Sequence, residues 1–305
     1  MCYDTNARPP VPPGDAGRAR GEDIVLTAAD GTRFAAYAAY PGAAATNSFG
    51  DAGGARIVIY PDMRGLHQFY KDLAVRFAEQ GIVALAIDYF GRSAGLSARD
   101  DAFEFMPHVQ QMRFDAFQSD VDAALAYLRR DGGAKSAIFT MGFCMGGALS
   151  LLTGARDLGL AGVIGFYAAL SRDIGGGGTV LDRAMAIKYP TLALFGGADS
   201  FIPPEQVETL DQELDKARVE HEVITYPGAP HSFFDRSAAD HAEASADAWT
   251  RILRLSGRTP RRRAWRRRAD LLDGPHLAGQ AGVGGVGRVG EERAVAGRPH
   301  VYALV

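Results

Sequence analysis

The chain has 305 residues, 47% hydrophobic and 23% charged, with a formal net charge of −3. This is the make-up of a soluble globular protein, with material for one large α/β domain or two small ones. Two cysteines, Cys2 and Cys144, exclude a disulfide framework and suit a reducing compartment.

The N-terminus, "MCYDTNARPPVPPG", is polar and proline-rich, without a charged-then-apolar signal pattern, and no apolar run reaches 18 residues. A cytoplasmic protein with no membrane partner is expected. Charge is uneven along the chain. From Arg258 to Val305 there are ten Arg and four acidic residues, while the remainder carries 23 basic against 32 acidic residues. The acidic body is a poor match for a phosphate backbone, so no nucleic-acid partner is expected. The Arg/Gly-rich segment 258–305 reads as a disordered or non-native tail, and residues 1–21 read as an N-terminal extension. The working domain is then 22–257.

"DIVLTAADGTRFAAYAAYP" reads as two strands joined by a turn at Asp30-Gly31. "ARIVIYPD" is a short buried strand. "HQFYKDLAVRFAEQG" spaces Phe69, Leu73 and Phe77 as a helix does, with Gly81 as its C-cap. "IVALAIDYFG" is the next strand, and a long segment runs from Arg92 to about Met112. "FDAFQSDVDAALAYLRRDGG" is an amphipathic helix. "SAIFTMG" then gives a strand and "CMGGALSLLTGA" a helix. "AGVIGFYAAL" and "TLALFGGAD" are strands, and "PPEQVETLDQELDKA" is a helix. "HEVITYPGAPH" is the last strand, and Asp240 to Leu253 forms the last helix. A hairpin followed by about eight strands in all, alternating with helices, predicts a mostly parallel sheet covered on both faces.

Ligand sites in such sheets lie beyond the carboxyl ends of the strands. Asp62, Cys144, Asp199 and His231 each follow a predicted strand. Singly, each has a bland reading: a loop aspartate, a buried thiol, a surface histidine. Together they run nucleophile, acid, histidine, the chain order of α/β-hydrolase triads. Gly142 and Gly146 flank Cys144 two residues to either side, room for a sharp strand-to-helix turn that lifts the sulfur to a helix N-terminus. The dipole and free N–H groups there favour a thiolate. No His/Cys cluster has zinc spacing and no G-x-x-x-x-G-K-[ST] loop is present, so neither metal nor cofactor is expected.

These residues resemble the dienelactone hydrolase family of the α/β-hydrolase superfamily. "GFCMGG" matches its nucleophile elbow, where cysteine replaces serine, "GGADSFIP" its acid loop and "YPGAPHSFF" its histidine loop; the likeness spans roughly Glu22 to Leu255. It implies an eight-stranded α/β-hydrolase fold and carboxymethylenebutenolidase-type hydrolysis of an ester or lactone. Cys144 would be the nucleophile, His231 the base and then the acid, and Asp199 its orienter. The backbone N–H groups of Met145 and Met63 would form the oxyanion hole. Asp62 stands where the family commonly carries a Glu that interacts with the thiol. Arg92 matches a substrate-binding arginine and Tyr167 a tyrosine near the site. The family's second arginine falls on Asp235, with Arg236 one further on, and Arg64 is another candidate cation. These cations imply an anionic small-molecule substrate, for a monomer or small homo-oligomer.

Chemistry narrows the substrate. Thiolate leaves a tetrahedral intermediate more easily than an ordinary alkoxide, so enol lactones, aryl esters and thioesters are the sensible substrates. The alternative is a non-catalytic, redox-sensitive or ligand-binding protein on the same scaffold, since an activated thiol oxidises readily.

Overall fold

Asp30 and Gly31 make the first turn. Gly31 sits at φ 85°, in the left-handed region glycine tolerates, and the Thr32 N–H donates to Asp30 Oδ1 at 3.0 Å. The turn joins β1 (Ala19–Thr27) to β2 (Arg33–Pro41) in an antiparallel hairpin. Pairing begins at Ala19, so three residues of the expected extension belong to the sheet. The computed structural model describes residues 6–42, 54–130 and 135–257. They fall in one compact unit, and the tail 258–305 and Cys2 lie outside the described residues.

Six further strands follow: β3 (Arg56–Tyr60), β4 (Val83–Ile87), β5 (Ile138–Phe143), β6 (Gly162–Phe166), β7 (Thr191–Gly196) and β8 (His221–Tyr226). The sheet order is β1-β2-β4-β3-β5-β6-β7-β8. β2 runs antiparallel to β4, and every pair from β4 to β8 is parallel. β5 and β7 are buried at every residue, as strands covered on both faces must be. The chain begins its parallel part at β3, steps outward to β4, then returns past β3 to β5. That reversal opens a crevice above the carboxyl ends of β3 and β5.

Helices cover the sheet: α1 (Gln68–Glu79), α2 (Gly91–Ala94), α3 (Met106–Gln111), α4 (Phe114–Leu128), α5 (Met145–Thr153), α6 (Val180–Arg183), α7 (Pro204–Lys216) and α8 (Ala242–Leu255). The long segment after Arg92 thus holds two short helices, with His108 of α3 stacked on Phe103 at 5.0 Å. α1 buries Phe69, Tyr70, Leu73 and Phe77 on one face. α8 buries Trp249, whose ring lies 4.8 Å from Phe77 and 5.8 Å from Phe234. The Trp249 indole N–H donates to the Pro10 carbonyl at 2.9 Å, so the N-terminal segment is tied to the last helix.

Candidate active site

Cys144 joins β5 to α5 at φ 53° and ψ −114°. A β-carbon forces such a residue into strain of about 1–3 kcal/mol, tolerated only where the surroundings impose it. Here they do. A β-carbon on Gly142 would overlap the Gly146 carbonyl, and one on Gly146 would overlap the carbonyls of Tyr60 and Pro61. Glycine at both positions lets β3, β5 and α5 close up beneath the sulfur. The Cys144 N–H donates to the Phe166 carbonyl at 3.0 Å, and its own carbonyl accepts from Ala148 N–H at 3.1 Å, so the turn is fixed on both sides. Cys144 itself is half-buried.

The acid and histidine loops are laced together. Gly197 N–H donates to the Tyr226 carbonyl at 2.8 Å and Ala198 N–H to the Ala229 carbonyl at 2.9 Å. Asp199 follows, its side chain wholly buried, with Oδ2 2.7 Å from His231 Nδ1 and Oδ1 accepting from Phe201 N–H at 2.9 Å. A carboxylate only accepts, so Nδ1 carries the proton and Nε2 is left as a base.

Tyr167 follows β6 at φ 34°, with its ring 4.7 Å from that of His231. Its hydroxyl donates to Asp235 Oδ2 at 2.7 Å. Ser232, beside the histidine, has φ 64° and a buried hydroxyl with no hydrogen-bond partner. Three of the four non-glycine residues with positive φ among the described residues therefore lie at this rim: Cys144, Tyr167 and Ser232. Sequence reading reached Tyr167 only through the family likeness and missed Ser232, because strain leaves no mark on residue type when glycine is not used.

Asp62 follows β3 and is fully buried. Its Oδ1 accepts from Arg64 N–H at 2.9 Å and its backbone N–H donates to the Tyr70 hydroxyl at 3.0 Å, while Oδ2 has no hydrogen-bond partner. Burial pushes its carboxyl up to about 6, against the pull of the Arg64 N–H and charge and of Tyr70 and His231. Asp235 is pushed higher, to about 8, again chiefly by burial and further by the Asp62 charge, against the Tyr167 and Arg236 hydrogen bonds. Met63, beside Asp62, and Met145, the first residue of α5, are both buried.

The expected substrate cations stand differently. Arg92, on α2, donates to Asp120 through Nη2 at 2.7 Å and Nε at 3.2 Å, and also pairs with Asp30. Two carboxylates thus occupy the guanidinium expected to bind substrate. Arg64 is buried, 3.4 Å from Asp101. Arg236 is exposed, and its backbone N–H, not its side chain, meets Asp235. A cavity of about 500 Å³ lies beside the Asp62 loop, lined by Leu66, His67, Lys71, Asp88 and Arg99 among others; none of Cys144, Asp199 and His231 lines it.

Comparison with known proteins identifies the family. The model of the dienelactone hydrolase family matches residues 35–258. A protein of Escherichia coli (strain K12), provisionally named carboxymethylenebutenolidase, is 29% identical over 201 residues, 65% of this chain and 74% of that one. A Bradyrhizobium protein, provisionally named 2-oxo-3-(5-oxofuran-2-ylidene)propanoate lactonase, is 28% identical over 204 residues, 65% and 81% of the two chains. The crystal structure of a protein from Klebsiella pneumoniae subsp. pneumoniae MGH 78578, provisionally named a dienelactone hydrolase, superposes with a TM-score of 0.67 at 23% identity, over 80% of this chain and 100% of that one. The chain belongs to the dienelactone hydrolase family and is a hydrolase with the α/β-hydrolase fold.

Proposed function

We propose that the protein is a cysteine-dependent hydrolase of activated esters or lactones that works through a thioester acyl-enzyme. One observation carries the reading: a 2.7 Å bond from His231 Nδ1 to a buried Asp199, at the same end of the parallel strands as a cysteine held at positive φ on a strand-to-helix turn. A cysteine that only filled space would not need the strain.

Asp199 fixes the imidazole so that Nε2 takes the Cys144 proton. The thiolate attacks the carbonyl carbon, and the N–H groups of Met145 and Met63 receive the oxyanion. Collapse breaks the bond to the leaving oxygen, which takes the proton back from His231. Water, deprotonated by the same Nε2, then attacks the thioester, releasing the acid and restoring the thiol. The deacylation step is favourable for any acyl group, so selection falls on acylation. There a stabilised enolate or phenolate competes with thiolate as leaving group and an ordinary alkoxide does not. The names of the curated relatives, a carboxymethylenebutenolidase and a lactonase, support a lactone within that class.

Cys144→Ala is expected to abolish hydrolysis of an aryl acetate with the melting temperature unchanged. Cys144→Ser is expected to keep a small residual rate, because the site is set for a softer, more acidic group. Intact-mass spectrometry on a slow ester is expected to show an acyl adduct on Cys144. Undiminished turnover in Cys144→Ala would falsify the assignment.

A further inference from the structure

We propose that this site selects against acyl groups that carry a carboxylate, and that the buried pair Asp235–Tyr167 is part of the wall that does so. The inference rests on Cys144 being the nucleophile and replaces the expectation of an anionic substrate with that of an uncharged ester or lactone.

Asp235 is 2% exposed and Asp62 is 0% exposed. Among the described residues neither carboxyl is within salt-bridge distance of a cationic side chain, and Asp62 Oδ2 has no hydrogen-bond partner at all. Asp235 is bonded to the hydroxyl of the tyrosine whose ring packs on His231, so it lies one ring beyond the imidazole. The charged and titratable groups that face it are Tyr167 from the end of β6, Asp62 from the end of β3, and His231 from its own loop. His231 alone among these can offset a negative charge.

Two of the three cations expected to welcome a substrate carboxylate are already paired with acids. Arg92 serves Asp30 and Asp120, Arg64 pairs with Asp101, and Arg236 is exposed. A carboxylate bound near the thiol would lose its water, and it would have to compete with Asp101 for Arg64 and with Asp30 and Asp120 for Arg92. The two resident carboxyls already register that cost, since burial holds both well above the ordinary carboxylate range.

Two matched pairs of reagents test this. Alkylation of Cys144 by iodoacetamide and by iodoacetate, followed on the Cys144 peptide and divided by the rates of a small free thiol, compares a neutral with an anionic probe whether or not the protein hydrolyses esters. The neutral reagent is expected to be favoured about tenfold. Methyl 4-nitrophenyl fumarate and 4-nitrophenyl hydrogen fumarate then share a leaving group and a trans chain that prevents self-attack. The methyl ester is expected to have about tenfold the higher kcat/KM at pH 7, and the ratio is expected to widen towards pH 9 as Asp235 ionises. In Asp235→Asn, which keeps an acceptor for the Tyr167 hydroxyl, the ratio is expected to stay flat with pH. Equal or faster reaction of the anionic member of both pairs overturns the proposal, as does loss of fast anion turnover in Arg236→Gln. Ester turnover that persists in Cys144→Ala overturns instead the nucleophile on which the proposal rests.

Discussion

Two sets of buried acids in this protein are equally deep and differently partnered. Towards the β1–β2–β4 edge, Asp88 meets Arg99 at 2.8 Å and Asp120 meets Arg92 at 2.7 Å. At the rim over β3, β5 and β6, Asp62 and Asp235 have hydrogen bonds but no guanidinium. Burial raises all four carboxyls. The first pair is structural: an acid and a base that close a loop against the sheet. Among the described residues the second has no cationic side chain within salt-bridge distance, at the end of the sheet where the proposed chemistry takes place. Partnering, not depth, separates the two sets, and on the proposed mechanism it is the acids without a guanidinium that face the reaction.

The comparison is sharpened most by Asp199, a buried acid whose partner is the His231 imidazole, the base of the proposed mechanism. Asp199→Asn is expected to lower kcat by about 10³–10⁴ with little change in KM, because the imidazole loses its tautomer; stopped-flow turnover of an aryl ester measures it. A loss below tenfold would place Asp199 with the structural acids. Arg99→Met strands Asp88 in the interior and is expected to cost about 3–5 kcal/mol, read as a lowering of the melting temperature on the order of 10 °C while the kcat of the folded fraction stays unchanged.

Next in size is Asp62→Asn. With its carboxyl held at about 6, the wild type is expected to show an inflection of kcat/KM near pH 6 that the Asn variant lacks, with a rate about tenfold lower at pH 7.5. Identical profiles would return Asp62 to a structural role. A further effect, on stability alone, is at Asp235. Its folded-state value is raised from 3.8 to about 8, so the wild type binds this proton more tightly folded than unfolded. Its stability therefore falls, relative to Asp235→Asn, as pH rises from about 4 to about 8, and is level beyond. Thermal melts at pH 5 and pH 8.5 are expected to show the variant gaining on the wild type across that window, by up to about 10 °C.

What the sequence made legible was local. Strand periodicity, the Asp30-Gly31 turn and the glycines around Cys144 each act within a few residues, and the order Cys144, Asp199, His231 needed only the rule that sites gather at strand ends. Partnerships across the fold were hidden. Arg92 pairs with residues 62 and 28 positions away, and Tyr167 with one 68 away. Nothing in the residue types tells whether an arginine after a strand faces a ligand or two aspartates. Asp235 was visible as a departure from the family's arginine, but its bond to Tyr167 depends on the register of β6 against the histidine loop. The docking of residues before Ala19 onto α8 was likewise illegible, since proline-rich polar sequence looks the same attached or free.

That docking bears on the order in which a newly made molecule becomes competent. Pro10 leaves the ribosome early and Trp249 late, 239 positions apart, yet one bond joins them. Trp249 also backs Phe234, three residues beyond His231. A nascent chain can build the Cys144 turn long before α8 exists, whereas the histidine loop, which also packs on Phe143 and Phe166, gains its Trp249 contact only when α8 arrives. Synthesis therefore completes the Cys144 turn before the packing behind His231, so on the proposed mechanism a stalled or clipped product would carry the thiol with its histidine loop incompletely backed.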